Sequence, residues 1–309
     1  MTIGVALPSG DTGHAANIVD EIIAQTAQAA EAGIRSVWFS QTLSHDAVTM
    51  AALAGRAVPG IDVGTSVVPM HPRHPLLLAA LAQTAQAATG GRFTLGIGLG
   101  AKSLLESAYG LPYPPPIRHL REYLTVLRTL LDGGKADFDG ETVNAHPTLP
   151  TAVAGAAPVS VIVAAMGPQA LRVTGELADG TLPYLAGPKA ISDGIVPVIT
   201  KAAEAAGRPA PRIIAAVPAV VTNDVDAVRE IAAGQLDFYN SIPSYQRIIE
   251  AEGASGALDL AVIGDEEVVT TAVRRYFDAG ATEVVVTQAG IRNSEERLRT
   301  WKLLGELNR

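Results

Sequence analysis

The stretch FTLGIGLGAKS (93–103) is an apolar run that ends in glycines and leads into a turn, and VSVIVAAMGPQ (159–169) repeats the pattern. A strand that ends without Cβ atoms lets a ligand come close to the backbone. A helix starting there aims unpaired N–H groups at that ligand, which favours an anion. Two such places point to one phosphate-bearing cofactor held between neighbouring strand ends.

Outward from these stretches the same strand–turn–helix unit recurs. Strands are expected at 3–7, 36–40, 63–68, 93–98, 159–164, 180–185, 212–221 and 283–287. Helices are expected at 18–32, 46–57, 76–88, 117–131, 169–178, within 189–206, at 225–238, near 246–252, at 266–279 and at 295–307. A turn at 8–13 follows the first strand, and Leu120, Leu124, Leu127 and Leu131 form one apolar stripe of the helix at 117–131. Eight strands alternating with helices predict a (β/α)8 TIM barrel. An open doubly wound sheet is the weaker alternative, because the alternation shows no second-domain break. We read 1–309 as one domain with insertions near 133–158, where DFDGETV (137–143) suggests a small hairpin, and near 223–264.

Composition narrows the function. Hydrophobic residues make up 48% of the 309 and aromatics 5%, so the core is built of Ala, Val, Leu and Ile, as in sheets covered on both faces. The net charge of −8 is spread without a basic block, which argues against nucleic acid or an anionic membrane as a partner. With no cysteine, disulfides, thiolate nucleophiles, Cys-bound zinc and iron–sulfur clusters are excluded. The N-terminal MTIGVALPSG lacks a signal-peptide pattern, and no run of about 18 apolar residues occurs. The expectation is a cytoplasmic protein.

In a barrel, chemistry belongs at the carboxyl ends of the strands: here Gln41–Thr42, Ser66–Val67, 98–103, 166–169, Tyr184 and Gln288. The G-x-G-x-G of 96–100 is not the full dinucleotide fingerprint and by itself reads as a tight turn. Lys102 and Ser103 add a cation and a hydroxyl where a phosphate would sit, although a lone lysine is usually just a solvated charge. The histidines (14, 45, 71, 74, 119 and 146) form no H-x-x-x-H pair, so no metal site is expected. HPRHP (71–75) reads as a helix entrance, with Arg73 and His74 near the cap. Ser44 and Asp46 are the N-cap candidates of the second helix. Glu122 of REY (121–123) is expected on a solvated face beside Arg118 and Arg121. No G-x-S-x-G elbow is present. Scarce acid–base groups suit a site whose chemistry a cofactor carries.

The ordered series SVWFSQT, GTSVVPMHPRHP, GRFTLGIGLG, REYLTVLRTLL, DFDGE, VAAMGPQALRVTGELADGTL and GDEEVV–DAGATEVVV resembles the bacterial luciferase-like superfamily, in particular its coenzyme F420-dependent oxidoreductase branch. The resemblance spans the chain. It implies a barrel with insertions that binds a deazaflavin or flavin, and a homodimer. Ser66–Val67 matches the position of a non-proline cis peptide under the cofactor ring. Gly98, Gly100, Ala101 and Lys102, with Ala165, Met166, Gly167 and Gln169, match the segments that hold the ribityl and phosphate tail. Tyr184 falls at a polar contact to that tail. Sugar-phosphate dehydrogenase members carry an acid and a histidine where this chain has Gln41 and Thr42, and a glutamate where it has Ala101. Sugar oxidation is therefore not implied. Gln41 and Thr42 are candidates to hydrogen-bond the deazaflavin ring or the substrate, in a reductase of an activated double bond in a small organic molecule. The alternatives are an FMN-dependent monooxygenase and, from another class, a cofactor-free barrel, against which Gly98, Gly100, Lys102 and Gly167 argue. Tyr109, Tyr113, Tyr239 and Tyr245 are candidates to line an apolar entrance, or else to pack the insertions or a dimer interface.

Overall fold

The structure, a computed structural model, describes residues 1–10 and 15–309, with Leu104 described by its backbone alone. His14 and the later part of the turn expected at 8–13 lie outside the described residues. The barrel strands are β1 (Ile3–Leu7), β2 (Ser36–Phe39), β3 (Asp62–Thr65), β4 (Phe93–Gly98), β5 (Ser160–Ala164), β6 (Gly180–Thr181), β7 (Arg212–Val221) and β8 (Glu283–Thr287). The fold is a (β/α)8 barrel. Its strands have helices on one side and core on the other, so β7, RIIAAVPAVV, is buried from Ile213 to Val221 without alternation.

The chain divides into two compact units, 1–38 with 182–198 and 212–309, and 39–181 with 199–211. In the first, the strand order runs from a short edge strand, Val262–Gly264, through β7, β8 and β1 to β2. The registers of β1 with β8, and of β7 with β8 and with the edge strand, are parallel. The amino ends of these strands close on Glu283. Its carboxylate is buried and accepts hydrogen bonds from the Ser36 hydroxyl at 2.7 Å and from Arg212 Nη2 at 3.0 Å. Asn308 ties the last helix down: its side chain accepts from the Ile3 N–H at 2.7 Å and donates to the Ile3 carbonyl at 3.0 Å.

In the second unit β3, β4, β5 and β6 pair in that order, in parallel. Asp179 staples it. Its Oδ2 accepts from the Val161 N–H at 2.7 Å and lies 3.3 Å from Arg128 Nη1, while Oδ1 lies 2.8 Å from Arg208 Nη2. The expected hairpin forms, pairing Phe138–Asp139 with Asn144–Ala145.

Several expectations need correction. The third strand stops at Thr65 and resumes as Val68–Pro69, which pairs with the end of β4. The sixth keeps ladder pairing only at Gly180–Thr181, because Leu185 takes φ +56° and Tyr184 makes a single bridge to Ala216. A helix not foreseen, Lys102–Tyr109, follows β4 directly. Asp46 caps its helix by accepting from the Thr49 N–H, whereas Ser44 bonds Thr42 and His45 instead. Glu122 is not a solvated surface charge. Its carboxylate accepts the backbone N–H groups of Glu141, Thr142 and Val143 and the Thr142 hydroxyl, anchoring the hairpin turn. Those bonds outweigh burial and hold its pKa below the ordinary value.

Candidate cofactor and substrate sites

The second unit brings most of the singled-out residues to the carboxyl ends of its strands. Thr65, the last residue of β3, locks to β4: its hydroxyl donates to the Gly96 carbonyl at 2.7 Å and accepts from the Gly96 N–H at 2.8 Å. The next peptide bond, Ser66–Val67, is cis, as are Leu7–Pro8 and His71–Pro72. The Ser66 N–H donates to the Phe39 carbonyl at 2.8 Å, and the Ser40 hydroxyl donates to the Ser66 carbonyl at 3.0 Å. The Val67 side chain lies against Gly98, where a Cβ would come within 2.7 Å of Val67 Cγ2. Gly98 therefore makes room for the Ser66–Val67 segment. It also pairs in register with Ala164, so Ser66, Val67, Gly98 and the start of the run at Ala165 are neighbours.

Beyond β4 the chain turns at Gly100 (φ +73°), and Ala101 is the N-cap of the helix Lys102–Tyr109. Tyr113 pins this turn: its hydroxyl, 3.0 Å from the Leu99 carbonyl and 3.2 Å from that of Gly100, donates there. Tyr113 thus belongs to the support of the loop, and burial pushes its pKa up. Lys102 is solvated and only 3.9 Å from Glu106, a loose pair that leaves its ammonium available. After β5, Ala165 is buried, Met166 and Gly167 are half-buried and Gln169 is exposed. Gly167 is the N-cap of the helix Pro168–Leu177, and a Cβ there would meet nothing within 4 Å.

These two helix starts, like those of the helices Pro116–Leu131 and Val225–Asn240, carry no side-chain cap. Asn17, Asp46 and His74 each cap a helix by accepting a backbone N–H, whereas neither Ala101 nor Gly167 supplies a side-chain cap. First-turn N–H groups there lack a side-chain acceptor, and open space lies before Gly167. The residues present fit a phosphate-bearing cofactor tail.

The loop after β2 is self-contained. Gln41 Nε2 donates to the carbonyls of Thr42 and His45 at 2.6 and 2.9 Å, while its Oε1 accepts from the Ala47 N–H at 3.1 Å. The amide is used on both sides to shape the loop. The Thr42 hydroxyl lies 3.2 Å from His45 Nδ1, with the Ser44 hydroxyl 3.1 Å from the same nitrogen. His45 Nε2 is buried without a hydrogen-bond partner. Sequence reasoning passed over His45; its position three residues beyond Thr42 was the only available signal.

In the first unit a cavity of about 750 Å³ opens beyond the carboxyl ends of β1 and β8. Pro8 and Gly10 line it on one side, Thr287, Gln288 and Ala289 on another, and Tyr184, Leu236 and Tyr239 on a third. Tyr184 stands in this wall, within a cluster in which Tyr184–Tyr239, Tyr239–Tyr245 and Tyr184–Tyr245 meet edge to face at 5.1, 4.8 and 6.2 Å. Tyr109 is exposed and belongs to neither group.

The sequence profile of the luciferase-like monooxygenase family matches residues 1–285. The 5,10-methylenetetrahydromethanopterin reductase of Methanopyrus kandleri is 26% identical over 277 residues, covering 76% of this chain and 78% of that one. Among solved structures, an F420-dependent secondary alcohol dehydrogenase in complex with an F420–acetone adduct superposes with a TM-score of 0.81 at 18% identity, over 100% of this chain and 99% of that one. The oxygenating constituent of 3,6-diketocamphane monooxygenase from Pseudomonas putida, in complex with FMN, superposes with a TM-score of 0.76 at 18% identity, over 99% and 97%. At these identities the two structures speak to the fold.

Proposed function

The chain belongs to the luciferase-like monooxygenase family, and from that premise we propose that it is a coenzyme F420-dependent reductase acting on an activated double bond of a small organic molecule. The observation that carries this reading is the loop after β2. It presents no free carboxylate: Gln41 is consumed by its own backbone, and Asp46 caps the helix Ala47–Ala57 and pairs with Arg73 at 3.4 Å. No carboxylate of this loop is free to exchange a proton with a substrate, which leaves His45 as its acid–base group. A reduction needs a proton donor, and His45 is the candidate.

A reduced deazaflavin, when bound, supplies a hydride. The residues of the chain do the rest. The backbone at Ala101 and Gly167, with Lys102, would hold the phosphate tail, and Ser66–Val67, wedged against Gly98, would support the ring system. Thr42 holds His45 by Nδ1 and leaves Nε2 to carry the proton. His45 would give its proton to one atom of the substrate double bond, the other taking the hydride, so that the substrate gains two electrons and two hydrogens.

Titration of the purified protein with coenzyme F420 and, separately, FMN, followed by cofactor fluorescence, tests this. We expect micromolar binding of F420 and at least tenfold weaker binding of FMN. The reverse preference would make the chain a flavin-dependent monooxygenase, and binding of neither would return it to a cofactor-free barrel. The same reading places the protein in the cytoplasm; among the described residues no helix is long and apolar enough to cross a membrane. It also makes the protein a homodimer. Leu53, Leu77 and Leu81 stand exposed on two adjoining helices, Ala47–Ala57 and Pro75–Ala88, an apolar face suited to a second copy. Light scattering should give twice the 31.9 kDa chain mass; a monomer would remove this part of the reading.

A further inference from the structure

From the cavity of the first unit we infer a substrate class: a neutral, flat aromatic ring carrying a carbonyl acceptor, with the ring against Tyr184 and Tyr239 and the acceptor on the Gln288 amide. The inference rests on the chain being an oxidoreductase of small organic molecules and adds what that molecule is.

Charge excludes the alternatives. Among the described residues, Arg292 is the one lining side chain with a formal charge, and it is spoken for. Its Nε and Nη2 donate to Glu296 Oε1 at 3.0 and 2.6 Å, and Nη1 donates to Asp224 Oδ2 at 2.5 Å. Two carboxylates on one guanidinium leave no positive charge for an anionic substrate. Nor do the described residues put a carboxylate in the lining to receive a cation. Burial, with the neighbouring ring, pushes the Tyr184 hydroxyl far above its ordinary pKa, so it too stays neutral. A charged ligand entering here would lose its hydration without compensation.

Shape selects the ring. Tyr239 is clamped between Tyr184 and Tyr245 at interplanar angles of 72° and 69°, and Phe238 meets it at 5.7 Å. The wall is aromatic and already fixed, so a flat ring can pack on it with little ordering cost. Polarity selects the acceptor. Gln288 Oε1 receives the Ser9 hydroxyl, whereas Gln288 Nε2 is buried with no acceptor. The other lining amide, Gln235, already accepts the Gly290 N–H at 2.8 Å. An unpaired buried donor at the edge of a cavity is completed by a ligand oxygen.

Saturation-transfer NMR on the full chain without cofactor, using α-tetralone, decalone and naphthoate as probes, tests the proposal. α-Tetralone should bind with transfer from tyrosine protons, decalone and naphthoate at least tenfold more weakly. Gln288→Met and Tyr239→Ala should each weaken α-tetralone at least tenfold, while Tyr239→Phe, which keeps the ring and the packing, should bind as wild type does. Equal binding of decalone, tighter binding of naphthoate, or undiminished affinity in Gln288→Met with a native circular dichroism spectrum would overturn it. F420 titration of the same samples separates the two readings. F420 binding without α-tetralone binding refutes the substrate class alone; α-tetralone binding without F420 binding refutes the cofactor and leaves the class standing.

Discussion

At the scale of single residues, glycines that look alike in the sequence do different work. Gly98 faces Val67 and Gly167 faces open space. Gly98→Ala should therefore destabilise the fold by about 1–3 kcal/mol, as overpacking does. Gly167→Ala, at φ −79°, should leave stability within about 0.5 kcal/mol. In the proposed reading it still weakens cofactor binding, because the new methyl occupies the approach to the helix start. Urea unfolding beside F420 titration distinguishes them, and equal stability losses would refute the assignment. His45→Ala should cut turnover by about 10²–10⁴-fold with F420 affinity unchanged, the usual range for a lost proton donor. A turnover within twofold of wild type would move that role elsewhere. The strand-end glycines were legible as small residues at a turn. Which of them opens to a ligand was not, since that depends on Val67 from another strand.

Among the elements, the short β6 depends on Asp179, just before it, which binds the backbone of β5 and two arginines, Arg128 of the helix Pro116–Leu131 and Arg208 of the loop before β7. Asp179→Ala would leave Arg128, a side chain only 18% exposed, without its deeper partner and the Val161 N–H without an acceptor. We expect a loss of about 1–3 kcal/mol, seen as a lower urea midpoint at unchanged slope. A shift below about 0.3 kcal/mol would show the network to be solvated decoration. The helices were readable from their stripes and caps: Asp46 and His74 cap as their positions suggested. The helix Lys102–Tyr109 was not, because KSLLESAY is short and follows glycine and alanine, with no polar cap to announce it.

Over the whole molecule, stability responds to pH through two histidines of opposite sign. Burial, then the neighbouring His71, lowers the His119 pKa against a raising pull from Glu122. The folded chain then binds this proton less readily than the unfolded one. The contribution is fully present above the ordinary pKa of about 6.5 and is lost as pH falls below it. His146, held up by hydrogen bonds to Asp137 and then Asp139, contributes below that value and loses its contribution as pH rises through its folded pKa. Melting temperatures of wild type and His119→Phe from pH 7.5 to 5 isolate the first term: the variant should gain on wild type toward acid, and a constant gap would refute it. The sequence by itself determined the barrel, because strands covered on both faces must read as apolar runs and helices must carry a stripe, and both periodicities are local. It also located the loops at the strand ends. Tertiary structure alone decided that Gln41 spends its amide on its own loop, that His45 keeps an unpartnered ring nitrogen, that Tyr113 braces the turn after β4, and that Tyr184 joins a tyrosine wall. Each of these depends on which partner meets the side chain across the fold, and hydrogen bonds and ring contacts between distant residues leave no periodic trace in a single chain.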